Sequence, residues 1–334
     1  MSALNTAFCQ LLHIDLPIVQ APIGSATTPA LAAAVSNAGG LGMLSVTWHS
    51  LDVIRQMIRE TRRLTSHPFG VNLVLQWPQE ERLRVCLEEG IAIFSFFWGD
   101  PSPYIPSIHA VGALAMHTVA SAAEAKHVCD MGVDICVAQG WEAGGHVWGQ
   151  IATLPLVPRV VDAVAPIPVL AAGGIADGRG IAAALMLGAS GVWLGTRFLA
   201  SAEAHIHPLY QEKVLHACEA DTIYSCLFDG GWPDAPHRTL RNSTISRWEA
   251  SGSSQGGERP GEGETVATSP GGRPIVRYSD MMPQPGMVGD VEALALYAGQ
   301  SVGLISDVQS AGTLVKMLAD ETIQALKHGK SLLL

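Results

Sequence analysis

Eight short apolar runs, bounded by Gly or Pro and separated by helix-patterned stretches, set what this chain can fold into. They are "PIVQAPI" (17–23), "LGMLSV" (41–46), "FGVNLVL" (69–75), "IAIFSFF" (91–97), "ALAMHTV" (113–119), "DICVAQG" (134–140), "PVLAAGG" (168–174) and "GVWLGTRFL" (191–199). Each is nearly continuous in hydrophobicity, the pattern of a strand covered on both faces of a parallel sheet. Between them, residues 28–39, 51–64, 120–132 and 178–189 carry apolar side chains at helical spacing. Strand then helix, repeated eight times with no reversal point, predicts an α/β fold of the closed (β/α)8 (TIM) barrel type; a doubly wound open sheet is the alternative.

The rhythm breaks after a helix-like stretch at 208–220. Residues 223–300 contain "DGGWPDAPHRTLRNS" and then "SGSSQGGERPGEGETVATSPGGRP" (251–274), which is rich in Gly, Ser and Pro and poor in apolar residues. Such a composition predicts a mobile surface loop, with an active-site lid as the alternative. The expected organisation is a barrel from 1–222 with 276–334, an insertion at 223–275 after strand 8, and a C-terminal helix (310–329) on the barrel exterior.

With 48% apolar residues, 334 residues can bury one large core. A net charge of −10 without basic runs argues against nucleic acid or an anionic membrane as partner. The cysteines at 9, 86, 129, 136, 218 and 226 form no CxxC pair, and the first four sit among apolar residues like buried free thiols of a reducing compartment. The first residues lack the pattern of a secretion signal, and no apolar run approaches the ~20 residues of a membrane span. A cytoplasmic, soluble protein is expected.

In such barrels ligands bind at the C-terminal ends of the strands. Those ends carry Ala21, Pro22, Ile23 and Gly24 (strand 1), Asn72 (strand 3), Gln139 (strand 6), Gly173 and Gly174 (strand 7), and Gly195 and Thr196 (strand 8). The glycines after strands 7 and 8, with the Thr196 hydroxyl and nearby helix N-termini, predict a phosphate site. "QGWEAGGHVWG" (139–149) places His146 behind Gly144 and Gly145, and an imidazole there can exchange protons near neutral pH. His146 is therefore the candidate catalytic residue. Glu142 is a second candidate base or a backbone cap, and His117 is either a pocket wall or buried. "HIH" (205–207) lacks companion acids, so no metal is expected. No G-x-S-x-G elbow is present.

"PIVQAPIG", "NAGGLGML", "FGVNLVL", "AQGWEAGGHVWG", "AAGGIADGRGIAAALMLGASGVWLGTRF" and "GDVEALALYAGQSVGLI" together resemble the nitronate monooxygenase family, FMN-dependent barrels. The resemblance is dense over 10–220 and looser over 280–328, and its most specific piece is Gln-Gly-x-Glu-Ala-Gly-Gly-His. It implies that Ala21, Pro22 and Ile23 pass along the flavin ring and that Asn72 and Gln139 hydrogen-bond the ring or ribityl chain. It also implies close approach at Gly144 and a phosphate held by Gly173, Gly174, Trp193, Leu194, Gly195 and Thr196. His146 matches the family's catalytic histidine. The implied reaction is oxidation of a nitronate, or a nitroalkane, by FMN and O2 to a carbonyl compound and nitrite. The expected partners are thus a small-molecule substrate and O2, with room for a homodimer. Two alternatives stand beside it: an FMN-dependent NAD(P)H:quinone or enoyl-acyl-carrier-protein reductase, and a barrel that binds a phosphorylated ligand without redox chemistry.

Overall fold

The computed structural model describes residues 4–252 and 259–333. All eight runs become strands: β1 (Ile18–Gln20), β2 (Gly42–Ser45), β3 (Phe69–Val74), β4 (Ile93–Phe97), β5 (Leu114–Val119), β6 (Ile135–Gln139), β7 (Val169–Ala172) and β8 (Gly191–Leu194). Consecutive strands pair in parallel from β2 to β8, β8 pairs with β1, and a Val19–Leu41 bridge joins β1 to β2. The sheet is therefore a closed cylinder, the (β/α)8 barrel expected. The eighth run is shorter than its apolar stretch, because Thr196–Leu199 turns into a brief helix.

Both strand faces are buried, which explains the unbroken hydrophobicity. Inward residues such as Val19, Met43, Met116, Val137 and Leu170 meet Phe8, Cys9 and Leu12 of the N-terminal helix (Ala7–Leu12), which plugs one mouth of the barrel. Outward residues such as Leu44, Leu73, Phe96, Cys136 and Val192 pack against the helices. The opposite rim, at the strand C-terminal ends, is left open by the plug.

Seven helices follow their strands: α1 (Pro29–Asn37), α2 (Leu51–Leu64), α3 (Glu80–Glu88), α4 (Ile105–His109), α5 (Ala122–Asp130), α6 (Thr153–Val164) and α7 (Gly178–Met186). Thr28, Ser50, Ser121 and Asp177 each accept a backbone N–H at a helix start, which fixes where α1, α2, α5 and α7 begin. The eighth place in the ring is filled by the C-terminal helix α8 (Ala311–Ser331), lying against α7 and α1. An added Cβ at Gly178 of α7 would lie 2.4 Å from the Thr322 backbone nitrogen of α8, so only glycine allows this approach. No helix among the described residues is long and apolar enough to cross a membrane.

Much of the insertion is ordered structure. Strands Thr222–Ser225 and His237–Leu240 form a three-stranded antiparallel sheet with Gly145–His146, followed by a helix, Ser243–Ala250. Thr265–Thr268 pairs with Pro274–Val276 and Val288–Gly289, over a small core of Val266, Ile275, Met287 and Leu294. The expected end of the insertion at 275 thus falls inside a strand. Part of the Gly/Ser/Pro-rich stretch, Thr265–Thr268 with the start of Pro274–Val276, is sheet where a mobile loop was expected, because scattered apolar residues suffice for this core. Residues 253–258 of that stretch lie outside the described residues.

Candidate active site

The rim opposite the plug holds a cavity of about 830 Å³. Ala21, Pro22, Ile23, Asn72, Gln139, Gly144, His146, Gly173, Gly174, Trp193, Gly195 and Thr196 all line it. Leu194 does not: its side chain is buried on the helix-facing side of the sheet, and only its carbonyl serves the rim, accepting the Ala21 N–H at 2.9 Å.

The polar residues are partly committed. Asn72 Nδ2 donates to Ser95 O and Oγ, both at 3.1 Å, which ties its amide to the neighbouring strand β4. Gln139 Nε2 donates to the His146 carbonyl at 3.2 Å, while its Oε1 is buried with no protein partner. Gly173 (φ 97°) and Gly174 (φ 70°) sit in the left-handed region, where a side chain would be strained. Helix dipoles contribute less here than expected. Asp177 already caps α7 by accepting the Gly180 N–H at 3.0 Å, and Thr196 Oγ1 accepts the Gly299 N–H at 3.0 Å. What remains for an anion at this end is the glycine backbone and the Thr196 O–H, which can donate while its oxygen accepts from Gly299.

His146 is held from two directions. Its backbone pairs with His237, in register, through the small antiparallel sheet. Its ring stacks on Trp232 (centroids 4.2 Å, planes 28° apart) and meets Tyr297 at 5.5 Å and His237 at 5.6 Å. Nε2 is buried without a partner. Burial, with His237 adding a smaller unfavourable charge, pushes the imidazole pKa down to about 3, so it is neutral at pH 7. His237 is neutral too, pushed down by burial to about 4. Its Nδ1–H donates to Ala235 O at 2.9 Å and its Nε2 accepts the Phe228 N–H at 3.2 Å, which fixes one tautomer.

The other candidates have structural work. Glu142 accepts the Thr153 N–H at 2.9 and 3.1 Å and the Thr153 hydroxyl at 3.0 Å, capping α6, whose N-cap residue Ala152 offers no side-chain oxygen. His117 is buried beside Trp98 and Trp148, outside the main cavity, with Nδ1 bonded to Thr118 O at 2.6 Å. His207 of "HIH" caps a helix by accepting the Leu209 N–H at 3.1 Å. Among the described residues no group of three or more His, Cys, Asp or Glu is arranged to hold a metal.

Sequence reasoning missed Trp232, His237 and Tyr297. The first two lie in the noted "DGGWPDAPHRTL" segment, but nothing in its pattern says which residue it will cover.

Comparison with known proteins agrees with this geometry. The nitronate monooxygenase family matches at residues 5–82 and 77–321. A hydroxy-methyl-oxo-octahydroindene carboxyl-CoA dehydrogenase of Rhodococcus jostii is 33% identical over 98% of both chains. A probable nitronate monooxygenase of Staphylococcus aureus is 34% identical over 66% of this chain and 75% of that one. Among solved structures, FabK from Thermotoga maritima superposes with a TM-score of 0.84 at 34% identity, covering 98% of this chain and 99% of that one. Nitroalkane oxidase from Streptomyces ansochromogenes gives 0.78 at 29% identity, over 97% and 99%. The match runs through both glycine rims and the segment that carries His146, and the relatives are named as oxidoreductases. This enzyme belongs to the nitronate monooxygenase family.

Proposed function

We propose that the protein is an FMN-dependent oxidoreductase that uses O2 to convert alkyl nitronates to carbonyl compounds and nitrite. The observation that carries this reading is a half-buried His146, its Nε2 unpartnered, on the cavity rim with the Gly144 and Gly173–Gly174 loops. An imidazole pushed down to about 3 is a weak base, poorly matched to taking a proton from a neutral nitroalkane. It is well suited to hydrogen-bond a nitronate, which already carries its charge. Nitronates therefore come ahead of nitroalkanes.

The residues present fit FMN. Gln139 Oε1 is a buried acceptor awaiting an N–H donor, which a flavin ring edge supplies. The side-chain-free turn at Gly173 and Gly174 lets a phosphate reach backbone amides. The cavity, at about 830 Å³, lies in the upper part of the ~300–1,000 Å³ typical of small-ligand sites, leaving room for a small substrate beside the cofactor. In this reading Gly173, Gly174, Gly195 and Thr196 hold the phosphate, and Ala21, Pro22, Ile23 and Trp193 line the ring. Asn72 and Gln139 fix its polar edge, and Gly144 allows close approach. FMN, when bound, supplies the two-electron acceptor that hands electrons to O2. His146 orients the nitronate oxygens, and the Trp77–Trp232 wall keeps water from that side. Residues 1–222 with 276–334 are the cofactor-binding barrel in this scheme, and 223–275 is the insertion that covers it. Six unpaired cysteines suit a cytoplasmic setting.

A second reading, an FMN enzyme taking hydride from NAD(P)H to reduce a quinone or an acyl thioester, is favoured by the likeness to the CoA dehydrogenase and FabK along 98% of the chain. The non-redox ligand-binding alternative has no support among these relatives. The purified protein is expected to be yellow and to turn over propionate 3-nitronate with O2. His146→Ala should keep the flavin and lose about 10²–10⁴ in turnover; unchanged turnover removes His146 from the reaction. Anaerobic bleaching by NADPH alone selects the second reading.

A further inference from the structure

We propose that Trp232, supplied by the insertion, is the positioning residue of His146: its indole sets the direction and the solvent exposure of the imidazole that faces the substrate. The inference rests on the role given to His146 above. An imidazole that does chemistry is ordinarily aimed by a hydrogen bond to its second nitrogen, from a carboxylate or a carbonyl. His146 has no such bond among the described residues, and its Nε2 is buried without a partner. Ring packing has taken over that task.

Three rings touch it, and two are engaged elsewhere. Both nitrogens of His237 are tied to the Ala235 carbonyl and the Phe228 N–H, and its ring meets His146 edge-on at 70°. Tyr297 donates its hydroxyl to the Asp280 carbonyl at 2.9 Å and lies tilted at 41°. Trp232 alone lies face to face, at 4.2 Å. It is also immobile. Only 2% of it is exposed, and its edges rest on Trp98 at 5.0 Å and Trp77 at 5.2 Å. The preceding Gly231 faces the Asp280 carboxylate, where an added Cβ would lie 2.5 Å from Oδ1. The barrel fixes the backbone of His146 through Gln139 and the sheet, while the insertion fixes its ring.

Removing the indole opens the most covered face of the imidazole to water and frees its ring torsion. His237 and Tyr297 are the titratable groups packed on His146, with Asp280 behind Tyr297, and none of them offers it a compensating hydrogen bond.

The test reads the histidine directly, by ¹H–¹⁵N NMR of the imidazoles in the full-length protein, with His146→Gln for assignment. In the wild type, His146 should stay in one tautomer and bind no proton between pH 7.5 and 5. In Trp232→Ala its midpoint should climb by at least about one pH unit toward the ordinary ~6.5, with both tautomers populated. Trp232→Phe, which keeps a stacking face, should restore the wild-type signals. If the alanine variant does not fold, Trp232→Leu, bulky but without a ring, takes its place. Wild-type tautomer and titration in a folded Ala or Leu variant overturn the proposal. The outcome is separable from the reading above, because flavin content and nitronate turnover of the wild type test that reading, and the imidazole signals do not depend on which reaction occurs.

Discussion

Mild acid should weaken this fold through two histidines, by an amount the structure lets one work out. His146 is pushed from an ordinary 6.5 down to about 3, and His237 from 6.5 to about 4. Between those values the unfolded chain binds protons that the folded chain refuses. The stability these groups provide is complete above pH 6.5 and drains away as pH falls toward the folded values. From pH 7 to pH 5 the loss is about 2 kcal/mol for each histidine, most of it between pH 6 and 5, and about 4 kcal/mol for the pair. With an unfolding entropy of about 2.1 cal/mol/K per residue, that lowers the melting midpoint by about 6 °C. The assay is urea and thermal unfolding followed by circular dichroism at pH 7, 6 and 5, for the wild type and His146→Gln. Carboxylates contribute alike to both proteins and cancel. The variant should lose about 2 kcal/mol less than the wild type across this range. Parallel pH curves for the two proteins would refute the claim that the fold holds the His146 imidazole uncharged.

Two further outcomes follow from contacts described above. Glu142→Ala strips the cap from α6 and should cost about 1–3 kcal/mol, measured by denaturant midpoint, with turnover changed by no more than a few-fold; a hundred-fold loss of turnover at unchanged stability would restore Glu142 as a base. Gly178→Ala drives a methyl group against Glu321 and Thr322 of α8 and should cost about 1–3 kcal/mol or more in the same assay, and wild-type stability would show that the α7–α8 approach is looser than described.

The barrel was legible in the sequence because each strand is covered twice. Plug side chains such as Phe8 and helices outside demand apolar residues at consecutive positions, and the runs at 91–97 and 113–119 register that demand directly. The rim residues were legible for a related reason: glycines at Gly173 and Gly174 answer a backbone requirement that no other residue meets cheaply. Alternation along β8 turns the Leu194 side chain outward while Trp193 and Gly195 face the cavity, a distinction the resemblance alone does not make. The ring partners of His146 were not legible. Trp232 and Tyr297 are 86 and 151 positions downstream, by subtraction of residue numbers, and reach it through a strand of only two residues, Gly145–His146. So short a pairing leaves no periodic trace. The closing role of α8 was hidden likewise, since amphipathic spacing marks a helix but not the gap that it fills.

The way α8 closes the outer ring also bears on how the molecule is made. Leu314, Val315 and Leu318 share one core with Leu31 and Val35 of α1 and Ile181 and Ala184 of α7. During synthesis those partners emerge from the ribosome well before residue 311, and their apolar seam stays uncovered until α8 follows them. A nascent chain that has not yet presented α8 exposes that seam and is a natural client for chaperones.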